Sequence, residues 1–92
     1  MKLKFSKNAV RFLEKLDEKD VNKIREKLKN LVYLIEDQGI IPFTELDIKK
    51  LKGEWAGFFR LRVGKIRIIF TIDSEVNDLS VYEIDFRGNV YK

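Results

Sequence analysis

The chain has 92 residues, of which 45% are hydrophobic and 37% charged, and its formal net charge is +4. That composition supports one modest core and argues against a disordered chain, so a single domain over residues 1–92 is expected. Histidine and cysteine are both absent, which excludes disulfides, cysteine–histidine zinc sites and histidine acid–base chemistry; no cofactor or metal is expected.

The N-terminus, MKLKFSKN, lacks the apolar stretch of a signal peptide, and no apolar run is long enough to span a bilayer. A cytoplasmic location and no membrane partner are therefore expected. Residues Lys2–Ser6 alternate, with Leu3 and Phe5 on one side, and predict a short strand. Ser6 suits the N-cap of a first helix from Lys7 to about Leu16, whose apolar side is Val10, Leu13 and Leu16, with Ala9 and Phe12 beside it. The acidic break LDEKD then suits a new helix N-terminus. Val21, Ile24, Leu28, Leu31 and Ile35 step by three and four, forming the apolar stripe of a second helix, and Gly39 is placed to end it. The lysines between these positions (Lys19, Lys23, Lys27, Lys29) read as a solvated face.

Ile40–Gly57 carries the single proline, Pro42, and reads as a connector with one helical turn near Glu45–Lys50. Three strands are expected after it: Phe58–Val63, Ile66–Ile72 and Leu79–Phe86, the last two joined by the polar link DSEVND. The fold class is therefore α+β, in the order β-α-α-β-β-β. The helix hairpin packs on one face of an antiparallel sheet, and the other face is left as a surface.

Basic residues change type along the chain. Before Gly53 only Arg11 and Arg25 interrupt the lysines; after it come Arg60, Arg62, Arg67 and Arg87 against Lys65 and Lys92. A two-residue hairpin loop at Gly64 puts Arg60, Arg62 and Arg67 on one face, because side chains alternate with period two. The other face collects Phe59, Leu61, Val63, Ile66, Ile68, Phe70 and Ile72 as a core face. Like charges opposed across strands cost roughly 0.2–1 kcal/mol per pair, so the arginines need a reason. One is a surface network neutralised by Glu83 and Asp85. The other, which the arginine fork favours, is a polyanion, with phosphate the natural candidate. Trp55 and Phe58 read as anchoring or core aromatics, with base stacking as the alternative.

Several of these residues also form a pattern. Leu51-Lys52-Gly53, Gly57-Phe58-Phe59-Arg60-Leu61-Arg62, Gly64-x-x-Arg67 and Arg87-x-x-Val90-Tyr91 together resemble the RelE branch of the RelE/ParE toxin superfamily. The resemblance spans the chain. It implies the toxin of a type II toxin–antitoxin pair, a metal-independent, ribosome-dependent endoribonuclease that cuts mRNA in the A site. It further implies ribosome and mRNA as partners and a RelB-like antitoxin that masks the basic site. By position it assigns Arg60 and Arg62 to the basic pair of the strand, Arg67 to the grip on the scissile phosphate, Arg87 to a phosphate stabiliser and Tyr91 to the attacked nucleotide. Lys52 and Lys65 are RNA-binding candidates. Arginine is a poor base, with a pKa above about 12, so the proton acceptor stays open between Glu83 and Tyr91. Two other readings are a ParE-like inhibitor of DNA gyrase and a non-catalytic module that only binds RNA or its antitoxin. Loss of Arg67 is expected to abolish cutting and leave the fold intact.

Overall fold

The computed structural model describes residues 1–86. In chain order they form β1 (Lys2–Phe5), α1 (Lys7–Lys15), α2 (Glu18–Gln38), β2 (Ile48–Lys50), a 3-10 turn (Gly53–Trp55), β3 (Phe59–Val63), β4 (Ile66–Asp73) and β5 (Asp78–Phe86).

The helix ends are where the sequence puts them, for local reasons. Ser6 caps α1 by accepting the Ala9 N–H at 3.1 Å, and Asp17 caps α2 by accepting the Asp20 N–H at 2.9 Å. Gly39 closes α2 with φ 72°, a left-handed conformation that suits glycine. The apolar face of α1 is rotated from expectation: Ala9 is fully buried and Phe12, Leu13 and Leu16 half-buried, while Val10 is exposed. Ile24, Leu28 and Leu31 of α2 are buried, and Val21 and Ile35 lie at the margin.

Five strands make one sheet in the order β1-β5-β4-β3-β2. Strand β1 runs parallel to β5, and the other pairs are antiparallel. The expected antiparallel sheet is thus mixed, because the helix hairpin carries the chain back and lets β1 lie alongside β5. Its edge is guarded by Lys4, whose ammonium meets Asp78 at 2.8 Å; that hydrogen bond and charge raise the Lys4 pKa above 10.5. The helical turn expected near Glu45–Lys50 is instead a turn over Phe43–Asp47 followed by β2. Pairing Ile48 with Leu61 buries Ile48, and this gain from a distant partner overrides local propensity.

One face of the sheet meets both helices. Leu61, Val63, Ile66, Ile68, Phe70, Leu79, Val81 and Ile84 join Ala9, Ile24, Leu28 and Leu31 in a single core. The register slips once: Ile69 pairs with Glu83 but Phe70 with Val81, so Tyr82 is the extra residue of a bulge. Its carbonyl, displaced from the ladder, accepts the Ser6 hydroxyl at 2.5 Å. Ser6 therefore both caps α1 and satisfies the bulge.

Candidate nucleic-acid interface

The β3–β4 loop has two residues, Gly64 and Lys65, because Val63 pairs with Ile66. Arg62 then stands directly opposite Arg67, with Arg60 two residues along the same face. The core residues occupy the other face, so the three arginines share the side of the sheet that the helices leave uncovered. Across this face run Lys49, Arg60, Ile69 and Glu83 in one row, and Arg62, Arg67 and Asp85 in the next.

These arginines are not splayed into solvent. Arg60 is 7% exposed and Arg67 6%. Asp47, at the end of the turn before β2, meets Arg60 Nη2 at 3.1 Å and Arg62 Nε at 3.7 Å. Asp85 meets Arg67 Nε at 3.3 Å. Charged hydrogen bonds of this kind offset the cost of drawing guanidinium groups out of water and of opposing Arg62 to Arg67. The match is incomplete: the Nε atoms of Arg60 and Arg62 are buried without a hydrogen-bond acceptor. The Glu83 side chain, half-buried on the same face, makes no hydrogen bond or ion pair among the described residues. Among the described residues, four cations (Lys49, Arg60, Arg62, Arg67) thus share this face with three carboxylates (Asp47, Glu83, Asp85).

The structure brings Arg60, Arg62 and Arg67 together. It places Lys52 and Lys65 at opposite ends of β3: Lys52 precedes the 3-10 turn, and Lys65 lies at the hairpin tip. Arg87 and Tyr91 lie outside the described residues. The neutralising network foreseen from Glu83 and Asp85 forms differently, since Asp85 pairs with Arg67 while Glu83 stays apart and Asp47 holds the other two arginines. Asp47 was invisible in the sequence because only the pairing of β2 with β3 brings it there; its carbonyl also accepts the Arg62 N–H at 3.0 Å.

Asp47 supports the fold by holding two of the arginines. Asp47→Ala is expected to lower stability by about 1–3 kcal/mol by stranding a buried donor, and at the same time to strengthen binding of a single-stranded RNA. Urea unfolding and RNA titration at low salt check the two signs. A variant weakened in both respects would mean that Asp47 chiefly orients the arginines.

A separate groove of about 850 Å³ runs between the first half of α2 and the β3–β4 hairpin. Val63, Ile66 and Phe86 form its apolar floor, and its rim carries Lys19, Lys23, Lys27 and Lys65 against Asp20 and Glu26, a balance of +2. It opens beside core-face residues, away from the arginines. Among the described residues, no cluster of three or more aspartate, glutamate, histidine or cysteine side chains could hold a metal. No described helix is long and apolar enough to cross a membrane.

No protein-family model matches the sequence, and no curated protein does. Solved structures do match. The chain superposes on a structure of the archaeal RelE–RelB complex from Pyrococcus horikoshii with a TM-score of 0.72, at 22% identity over 97% of both chains. It is similar to the YoeB/ParE toxin from Agrobacterium tumefaciens (TM-score 0.72, 24% identity, 95% of this chain and 99% of the other). It also resembles the RelBE2 toxin–antitoxin complex from Mycobacterium tuberculosis (TM-score 0.67, 26% identity, 96% and 92%). With two helices on a mixed five-stranded sheet and near-complete coverage in both directions, the chain has the fold of the RelE and YoeB toxins, the fold its motifs resemble.

Proposed function

We propose that this protein is the toxin of a type II toxin–antitoxin pair and acts as a ribosome-dependent endoribonuclease on mRNA in the A site. The observation that carries the reading is the row of guanidinium groups on the helix-free face, with Arg62 opposite Arg67 and Arg60 beside them. A purely structural sheet has no use for that opposition. A phosphodiester does, because its transition state gathers charge on the non-bridging oxygens, where preorganised donors act most strongly.

In the proposed reaction the ribose 2′-oxygen bonds to phosphorus and the P–O5′ bond breaks, leaving a 2′,3′-cyclic phosphate and a 5′-hydroxyl. Arg67 grips the phosphate, held in orientation by Asp85, and Arg60 and Arg62 flank it. Arg87 and Tyr91 complete the set by the resemblance of their motif, which makes Arg87 both a phosphate stabiliser and the acid that gives the departing 5′-oxygen its proton. Glu83, the carboxylate on this face without a partner among the described residues, takes the 2′ proton. The ribosome supplies the rest by fixing the mRNA in line for attack. Lys52 and Lys65 add contacts to the backbone of the message. The basic groove beside α2, with its apolar floor, fits an acidic amphipathic segment of a RelB-like antitoxin. Such a protein works in the cytoplasm, where its ribosomes are.

Primer extension on an mRNA in programmed ribosomes tests this. New 5′ ends inside the A-site codon, dependent on both protein and ribosome, are expected. Folded protein that yields no ends but blocks gyrase supercoiling would transfer the reading to a ParE-like inhibitor. RNA bound and never cut would leave a binding module.

A further inference from the structure

Three aromatic rings stand apart from the core. Trp55, Phe58 and Tyr82 form a closed triangle with centroid separations of 5.4, 5.5 and 5.5 Å, each pair edge to face. None belongs to the cluster between sheet and helices. Trp55 is 37% exposed and Tyr82 49%. A small domain that leaves its sole tryptophan on the surface gains little stability from it.

The backbone around the rings is built to hold them there. Trp55 ends the 3-10 turn between Gly53 and Gly57, both at positive φ (67° and 90°), where a side chain would be strained. The Phe58 N–H donates to the Trp55 carbonyl at 3.0 Å, and the Thr71 hydroxyl donates to the Gly57 carbonyl at 2.8 Å, fastening the loop to β4. Tyr82 reaches the other two rings because it is the extra residue of the bulge, whose carbonyl Ser6 satisfies. Phe58 sits just ahead of β3, two residues before Arg60 and so about 7 Å from it along the extended chain, and its ring meets Tyr82, the neighbour of Glu83 on the arginine face. That spacing is comparable to the reach from a phosphate to the base of its own nucleotide.

We infer that Trp55, Phe58 and Tyr82 are a base-stacking platform for single-stranded RNA, receiving the base of a nucleotide whose phosphate lies on Arg60 and Arg62. Ring faces beside a cationic row are how single strands are held without reading sequence. The inference rests on the proposed RNA substrate but not on cleavage, which separates the two in the test. Lys52, whose carbonyl accepts the Trp55 N–H, brings a further cation to the platform's edge.

Because Trp55 is the sole tryptophan, its fluorescence reports the site in the unmodified protein. The probes are a hexanucleotide of RNA and an abasic ribose–phosphate chain of equal length, with binding followed independently by anisotropy of an end label at low salt. The intact RNA is expected to quench Trp55 at saturation, and the abasic chain to leave it nearly unchanged. Tyr82→Leu and Phe58→Leu are expected to weaken the intact RNA by about tenfold or more and to leave the abasic chain's affinity at the parent value, with the urea midpoint lowered by the lost ring contacts but the protein still folded. Equal quenching by both probes, equal losses for both, or no binding of the intact RNA would overturn the platform. Ribosome-dependent cutting with no base-dependent quenching would overturn the platform alone and leave the endoribonuclease standing. Base-dependent quenching without cutting would do the reverse.

Discussion

Arg67→Ala is expected, on the proposed function, to lower A-site cleavage by about 10²–10³-fold, the usual effect of losing one preorganised donor to a developing oxyanion. The structure adds a second consequence that the sequence alone does not suggest. Arg67 is 6% exposed and its side chain meets Asp85, itself only 18% exposed. Removing the guanidinium leaves a half-buried carboxylate without its cation, so the variant is also less stable; cost and catalysis are entangled in the alanine change. Arg67→Lys separates them. A lysine restores a positive charge opposite Asp85 and so recovers most of the urea midpoint. It does not restore the planar fork that clasps two phosphate oxygens, so cleavage stays at least tenfold down. If Arg67→Lys recovered stability and cutting together, only charge would matter at this position. If Arg67→Ala cut at the parent rate, the phosphate grip would lie elsewhere.

Glu83→Gln is the second large effect. Glutamine keeps the size and the hydrogen-bonding oxygen but cannot accept a proton at neutral pH. General-base catalysis of this kind contributes about 10²–10⁴-fold, and a loss within that range in single-turnover cleavage is expected. Because the Glu83 side chain holds no hydrogen bond or ion pair among the described residues, its replacement is expected to leave the urea midpoint nearly unmoved. RNA affinity is expected to rise slightly, since one carboxylate leaves a face that carries four cations among the described residues. Parent-rate cleavage by Glu83→Gln would return the proton to Tyr91 or to the ribosome.

What the sequence made legible was what depends on neighbours in the chain. Ser6, Asp17 and Gly39 announce the helix ends because capping is settled within four residues. The arginine face follows from alternation once the hairpin loop is known to be Gly64–Lys65. What stayed hidden depends on partners far along the chain. Strand β2 is three residues long, too short to show a period, and exists because Ile48 finds Leu61. Asp47 enters the arginine row by the same pairing. The bulge at Tyr82 has no local mark in VYEID, so two of the three rings looked like core or anchor and the third went unremarked. The resemblance to the toxin superfamily foretold the overall fold, which the superposition on RelE and YoeB bears out. It did not foretell that carboxylates occupy the arginines in the free protein.

The parallel pairing of β1 with β5 carries a consequence for synthesis. Lys2 lies beside Asp78 and Phe5 beside Val81, so β1 is seated by a strand more than seventy residues further along the chain. Until residue 81 is available, the helical hairpin has no finished sheet beneath it, and the bulge that Ser6 completes cannot form. Contacts of such long separation are also the slow ones in folding. The sheet is therefore closed only when β5 arrives, and a chain cut short before Asp78 is expected to leave β1 without the strand that seats it, which hydrogen exchange on a truncated chain would show.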